Sequence, residues 1–378
     1  MSDLEIGFIG FGLIGGSIAR GLKRKNEHPF FNGKTLRITV YDYHIQRDGD
    51  SYQNMDLQKA KEDQTIHSIT GRLSDLSSCD IIFLCAPVQQ NLRYLEQLRP
   101  LIKKDCMITD VGSVKGNIQT RAGQLGLLSN FLGGHPMAGS EQTGYQSSSD
   151  LLLENAYYIL TPDKETPAIF VERMTSIIRQ IGAIPILLEP KEHDDITAAI
   201  SHVPHLIAAS LVNMVRERDK EDKMQLLAAG GFKDITRIAS SSPVIWRDIC
   251  LSNTESILDF LTYYRRSLET LEQALREGNR QVLYSTFETS KEFRDSLPTR
   301  SRGLIEKIHE LFVDVRDTAG AIARIATLLA AHDINIKNIG ILHNREFQNG
   351  ALRIELPDET AVCRTQELLE KNGYTIYS

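Results

Sequence analysis

One segment constrains this chain more than any other: Gly10-Phe11-Gly12-Leu13-Ile14-Gly15, placed directly after the apolar run Glu5 to Ile9 and directly before the helix-compatible stretch Gly16 to Leu22. Strand, glycine-rich turn and helix in that order describe a dinucleotide-binding βαβ unit. The first glycine permits a tight turn, the second lets backbone N–H groups approach a pyrophosphate, and the third lets the helix lie close to the strand. A merely flexible loop would not explain the flanking order. Asp42 ends the next β-type run, where a carboxylate accepts hydrogen bonds from ribose hydroxyls and repels a 2′-phosphate, so NAD is favoured over NADP. Its distance from Gly15 exceeds the usual ~20 residues because Asn26 to Lys34 reads as an inserted loop. Arg47 is the residue that would serve NADP if its loop folded back.

The runs Leu36 to Val40, Ile81 to Cys85, Met107 to Asp110, Ala156 to Leu160 and Ala183 to Leu187 alternate with helix-length stretches. Such alternation predicts an α/β domain, a Rossmann-type doubly wound sheet over residues 1–189. Apolar residues then recur at helical spacing, as in Ile196, Ala199, Ile200, Val203, Leu206 and Ile207, predicting an all-helical domain over residues 190–298. Its surplus of apolar surface suits a partner subunit, and a homodimer is expected. After the polar linker Pro298 to Gly303, a β-α-β-β-α-β order predicts a small ferredoxin-like α+β module over residues 304–378. A length of 378 residues, at roughly 150 residues per domain, suggests two or three domains.

A formal net charge of -6 lacks the basic footprint of a general nucleic-acid binder. No apolar run approaches the ~20 residues a membrane span needs, and a cytoplasmic protein is expected. The five cysteines have no Cys-x-x-Cys spacing and read as buried free thiols.

Two glycine-containing loops belong at the carboxyl ends of later strands, where ligands bind in such sheets: Asp110 to Lys115 and Gly133 to Glu141. His135 in the second, beside the expected nicotinamide, has the basicity to take a proton from an alcohol as hydride leaves its carbon. A structural surface-loop histidine explains it equally well. In Ser201-His202-Val203-Pro204-His205 two histidines stand one turn apart; with His193 and Asp194 they raise a metal site, but the spacing matches no common zinc pattern and no metal is expected. Asp234 and Arg237 at i,i+3 form either a surface ion pair or a carboxylate clamp with a planar fork. Trp246 reads as core.

These segments together resemble prephenate dehydrogenase: the glycine-rich turn through Ser17, Asp110-Val111-Gly112-Ser113-Val114-Lys115, Gly134-His135-Pro136-Met137-Ala138-Gly139, Ser201 to His205, and Phe232-Lys233-Asp234-Ile235-Thr236-Arg237, in family order over residues 5–297. The segment from Glu310 resembles an ACT module, a regulatory domain that binds amino acids; its signature loop stands as Asp314 to Gly320, with Ala319 where such loops carry proline, and Asn335 is expected to start its second strand.

The resemblance implies NAD-dependent oxidative decarboxylation of prephenate to 4-hydroxyphenylpyruvate, a step of tyrosine biosynthesis, with tyrosine as effector. It implies His135 as base and Ser113 hydrogen-bonded to the substrate hydroxyl or to His135. Arg237 is placed on the ring carboxylate and His205 near the side-chain end, with Lys233 and His202 in support, Asp234 orienting Arg237 and Glu141 gating the pocket. Cofactor contacts fall to Gly10, Phe11, Gly12, Leu13, Ile14, Gly15 and Asp42, and regulatory contacts to Asp317, Ala319, Gly320 and Asn335. Arogenate dehydrogenase is the nearest rival enzyme; a β-hydroxyacid dehydrogenase would leave His135 unexplained. A non-catalytic sensor of NAD and an amino acid is the rival of a different class.

Overall fold

The computed structural model describes residues 4–24, 35–44, 54–139, 142–297, 309–315, 318–342 and 350–377, and the chain divides into two compact units, Met1–Gly303 and Leu304–Ser378. Arg47, Glu141 and Asp317 lie outside the described residues. In the first unit the apolar runs become strands β1 (Leu4–Ile9), β2 (Leu36–Tyr41), β3 (Ser68–Thr70), β4 (Ile81–Leu84), β5 (Met107–Asp110), β6 (Phe131–Pro136), β7 (Tyr157–Thr161) and β8 (Ile184–Leu187). They form one sheet in the order β3-β2-β1-β4-β5-β6-β7-β8. Neighbours run parallel except β6 and β7, which are antiparallel.

Helices α1 (Leu13–Arg24), α2 (Met55–Glu62), α3 (Val88–Leu98), α4 (Gly116–Gln124) and α5 (Ala168–Gln180) connect these strands. Both sheet faces are covered, which is why the strands read as continuous apolar runs. Ile81 and Phe83 enter the core shared with α1 and α5, while Ile82 and Leu84 enter the one shared with α3 and α4. The crossover direction reverses between β1 and β4, so the carboxyl ends of these strands open the crevice where such sheets bind ligands. Gly10 turns there with φ +84°, and a Cβ on it would stand 2.7 Å from the Ala86 amide nitrogen.

Strands β3 and β6 escape the sequence reading. The first has three residues, and the second contains Gly133, Gly134 and Pro136, which depress strand propensity. The correction matters because His135 lies within strand β6 and not in a loop.

The helical part comprises α6 (Pro190–Thr197), a π-helical turn Ala198–His202, α7 (Val203–Arg218), α8 (Lys223–Leu227), α9 (Gly230–Thr236), a 3-10 turn Arg237–Ser240, α10 (Pro243–Ser252), α11 (Thr254–Glu277) and α12 (Arg280–Ser296). Pro204 has no N–H to offer the preceding turn, and the π turn lies just ahead of it, with the Val203 amide reaching back to the Ala198 carbonyl. Pro190–Arg218 thus forms one helical run of 29 residues whose best window has mean hydropathy 1.4, long and apolar enough by length and composition to cross a membrane. Reading short runs missed this because His193, Asp194 and His202 interrupt them. Those three side chains are buried within the first unit.

Only a small core forms among these helices, around Ala198, Val203 and Ile257, while Leu226, Leu227, Leu251, Leu275, Phe287 and Phe293 are exposed. Of the cysteines, Cys79 and Cys106 are buried, Cys85 and Cys250 half-buried and Cys363 exposed, so the expectation of uniformly buried thiols is too simple.

The second unit has β9 (His309–Val315), α13 (Ala321–Ala330), β10 (Asn338–Leu342), β11 (Gly350–Leu356), α14 (Glu359–Lys371) and β12 (Ile376–Tyr377). The sheet order β10-β11-β9-β12 is antiparallel throughout, as a ferredoxin-like module requires. Asn335 precedes β10 by three residues and does not start it, since the chain is still leaving the turn after α13.

Gly10 and Gly126 both have positive φ, but a Cβ at Gly126 meets nothing within 4 Å. Gly10→Ala is expected to cost at least about 2 kcal/mol, combining strain with backbone overlap. Gly126→Ala should cost about 1 kcal/mol from strain alone. Urea unfolding of the two variants measures the difference; equal losses would contradict the close approach at Ala86.

Candidate active site

Strand β6 delivers His135 to the carboxyl edge of the sheet, where it is 9% exposed. Its Nδ1 lies 2.8 Å from His193 Nε2, and His193 Nδ1 lies 2.8 Å from Asp194 Oδ1. The Asp194 carboxylate is itself fixed. Oδ1 also accepts from the Lys115 amide at 2.8 Å, and Oδ2 accepts from the Gly116 amide at 2.8 Å, at the amino end of α4.

These contacts set the tautomers. A carboxylate only accepts, so His193 Nδ1 must donate to it; with neutral rings, His193 Nε2 is then an acceptor and His135 Nδ1 its donor. His135 Nε2 is left with a lone pair. Burial, followed by His193, Lys115 and His202, pushes the His135 ring well below its ordinary basicity, so it is uncharged at neutral pH. Burial also lowers His193, although Asp194 opposes this.

Lys115 ties the two sides of the arrangement together. Its backbone holds Asp194, while its side chain, wholly buried, pairs with Asp110 and donates to the Gly134 carbonyl at 2.7 Å. Asp110 in turn accepts from the Gly112 amide at 2.9 Å and the Gly134 amide at 3.2 Å. The residue next to His135 is thereby held at both its N–H and its C=O.

His202 is buried, and Asn253 Nδ2 reaches both its Nδ1 at 3.1 Å and the Asp194 carbonyl at 2.7 Å. Burial lowers the His202 ring to about 4. One turn on, His205 Nδ1 donates to the Ser201 carbonyl at 2.9 Å, and its ring stacks on Trp246 with centroids 3.5 Å apart. Burial lowers His205, and the nearby Arg237 guanidinium adds to that effect. Trp246 is therefore a contact of a site residue and not simply core.

The structure puts His202 near enough to His135, and Arg237 near enough to His205, for their charges to interact, whereas the contacts of His193, Asp194, Lys115, Asn253 and Trp246 described above were not read from the sequence. Asp194 beside His193 was visible as a pair; what it holds was not, because Lys115 is 79 residues away. Ser113 stands half-buried on the turn after β5, and among the described residues its hydroxyl makes no hydrogen bond to His135, whose Nδ1 faces His193. Lys233 and Asp234 lie exposed on α9, with Arg237 exposed at its end.

The glycine-rich turn fits a dinucleotide. A Cβ on Gly12 would come no nearer than 4.0 Å to its surroundings, so the backbone there is open to approach, whereas Gly15 sits 3.0 Å, Cβ to oxygen, beneath the Gly10 carbonyl. Asp42 ends at the same edge, its oxygens accepting from the His44 amide at 2.9 Å and Asn54 Nδ2 at 2.8 Å. Among the described residues no cluster of side chains suits a metal ion.

A family model for the prephenate dehydrogenase nucleotide-binding domain matches residues 36–187, and one for the prephenate dehydrogenase dimerization domain matches residues 189–289. The chain is 38% identical over 364 residues to prephenate dehydrogenase of Bacillus subtilis, covering 96% of this chain and 94% of that relative. Among solved structures, prephenate dehydrogenase from A. aeolicus in complex with hydroxyphenyl propionate and NAD+ superposes with a TM-score of 0.68 at 29% identity, over 78% of this chain and 99% of that one. Arogenate dehydrogenase from Synechocystis gives 0.66 at 31% identity, over 78% of this chain and 100% of that one.

Lys115→Met leaves the buried Asp110 carboxylate unpaired and is expected to cost about 3–5 kcal/mol. Adding Asp110→Asn should recover a large part of that loss. Urea unfolding of single and double variants reads both; a single variant within about 0.5 kcal/mol of wild type would show that the ion pair does not hold the strand.

Proposed function

This chain belongs to the prephenate dehydrogenase family, and on that premise we propose how its residues carry out the NAD-dependent oxidative decarboxylation of prephenate to 4-hydroxyphenylpyruvate. The observation that carries the account is the chain of tautomers from Asp194 through His193 to His135, which leaves His135 Nε2 as an uncharged acceptor. NAD, when bound, supplies the hydride acceptor. His135 Nε2 takes the proton of the ring hydroxyl as hydride leaves the carbinol carbon. The C–C bond to the ring carboxylate breaks at the same time, its electron pair enters the ring, carbon dioxide departs, and the proton held on His135 Nε2 returns to the phenolate oxygen so that the product leaves as the phenol. Aromaticity gained by the ring drives this loss, so the residues need only orient the substrate and hold one proton.

Ser113 hydrogen-bonds the substrate hydroxyl from the turn after β5. Two substrate carboxylates need partners, since burying them bare would cost several kcal/mol. Arg237 meets the ring carboxylate with its planar fork. His205, held by Trp246 and Ser201, meets the side-chain end, and it gains the donor it needs there by taking up a proton as the dianion binds. His202, Lys233, Asp234 and Glu141 complete the pocket in supporting roles. Gly10, Phe11, Gly12, Leu13, Ile14 and Gly15 hold the pyrophosphate and Asp42 the adenosine ribose.

The exposed apolar helices dock a second copy of the chain, in keeping with the dimerization-domain match, and the sedimentation mass of the full chain tests this. The unit from Leu304 serves as an ACT module with tyrosine as ligand, held through Asp317, Ala319, Gly320 and Asn335. Gly320, with φ +81°, turns the chain into α13 as such a loop requires. Calorimetric titration of the full chain with tyrosine tests that reading. A cytoplasmic setting suits an enzyme fed by NAD.

Absorbance at 340 nm should rise when NAD and prephenate are added to the wild-type chain; no rise with prephenate, against a rise with arogenate, would reassign the substrate. His135→Asn should lower kcat by about 10²–10⁴-fold with little change in prephenate KM. Wild-type turnover in that variant would remove the proposed base. Because burial lowers His135, the acid limb of kcat/KM is expected with its midpoint below 6.5, activity being full above it and lost as pH falls. A midpoint at or above 6.5 would contradict the buried, uncharged ring.

A further inference from the structure

Asp42 is more tightly held than a ribose-binding carboxylate needs to be by its own backbone. Its amide donates to the Thr70 carbonyl at 2.9 Å, fixing the chain at the end of β2, and its Oδ1 accepts from the His44 amide at 2.9 Å. The remaining oxygen, Oδ2, accepts at 2.8 Å from the side chain of Asn54, which is twelve residues away at the start of α2. Asn54 has a second task. Its Oδ1 caps α2 by accepting from the Leu57 amide at 3.2 Å, and Leu57 is buried in the core beneath the sheet. The donor aimed at Asp42 is therefore mounted on an element seated in the core.

The same first turn of α2 also bonds to the segment packed against the glycine-rich turn. Asp56 accepts from the Tyr145 amide at 2.8 Å and from Gln146 Nε2 at 3.0 Å, and the Tyr145 ring stacks on Phe11 of the glycine-rich turn with centroids 5.5 Å apart. One helix start thus braces both the carboxylate beyond β2 and the aromatic wall beside the glycine-rich turn.

We infer that Asn54 is a positioning residue for cofactor recognition: its side-chain amide locks the Asp42 carboxylate in the rotamer that receives the adenosine ribose hydroxyls. This rests on the reading of Asp42 as the ribose acceptor. A carboxylate oxygen has lone pairs for more than one donor, so the Asn54 bond leaves room for a hydroxyl while removing the rotational freedom that binding would otherwise have to arrest. Asn54 also supplies only a donor to Asp42 and no charge, so it keeps the carboxylate's full repulsion toward a 2′-phosphate.

Asn54→Ser separates the two tasks, because a serine hydroxyl still caps a helix but is too short to reach Asp42. Calorimetric titration with NAD in the absence of substrate should show Kd raised roughly fivefold to tenfold, the scale of having to arrest one more side chain on binding. KM for NAD should rise by a similar factor, with kcat and prephenate KM within about twofold of wild type. Preference for NAD over its analogue lacking the adenosine 2′-hydroxyl should shrink several-fold, because a loosened Asp42 gains less from that hydroxyl. Unchanged NAD affinity, or weaker affinity with that preference intact, would reduce Asn54 to a helix cap and overturn the inference. Wild-type failure to turn over prephenate would instead strike the proposed reaction, and the calorimetric comparison would still decide the part played by Asn54.

Discussion

The site depends on where the Asp194 carboxylate is held. Two amides at the start of α4 and one imidazole converge on it, and a carboxylate can do nothing but accept. That one-sidedness propagates. It decides which nitrogen of His193 carries hydrogen, which in turn decides the same for His135, and the chain ends in a lone pair at the carboxyl edge of the sheet. Without a fixed acceptor at the far end, either tautomer of His135 would be available, and the one with hydrogen on Nε2 would present a donor where a base is required.

The surroundings reinforce this choice. Burial disfavours charge on each of the three nearby rings, and the Lys115 ammonium adds a repulsion that falls on His135 and His193. Lys115 is tolerated there because Asp110 neutralises it and Gly134 accepts its remaining reach. A buried ion pair of this kind is a costly way to stabilise a fold, but it fixes the backbone on both sides of Gly134, next to the reacting ring. Helix α7, entered through the π turn before Pro204, carries His205 against Trp246 and within the influence of Arg237.

Much of this was legible in the sequence, for physical reasons that differ by element. The glycine-rich turn announced itself because only glycine survives at Gly10, with its positive φ and its contact with Ala86. Asp42 was legible because strand ends are easy to read in a sheet buried on both faces. Strand β6 was hidden by Gly133, Gly134 and Pro136; at Gly134 a Cβ would stand 2.7 Å from the Asp110 carbonyl oxygen, so that position requires glycine. Asp110 and Lys115 stood five residues apart in a loop expected at a strand end, but nothing in the sequence marked them as a buried pair. The link from Asp194 to α4, the bridge from Asn253 to His202 and the bond from Asn54 to Asp42 carried no sign either, since each joins residues whose nearness exists only after folding. The long apolar helix Pro190–Arg218 illustrates the converse: it has the length and composition of a membrane span, yet His193, Asp194 and His202 within it are buried in the first unit.

Nitrogen-15 spectroscopy of the imidazoles at neutral pH, with His135 assigned by its absence in a His135→Asn sample, tests the central claim most directly. A neutral His135 ring with hydrogen on Nδ1 and a bare Nε2 is the predicted result. A ring protonated on Nε2, in either the other neutral tautomer or the imidazolium form, would contradict it.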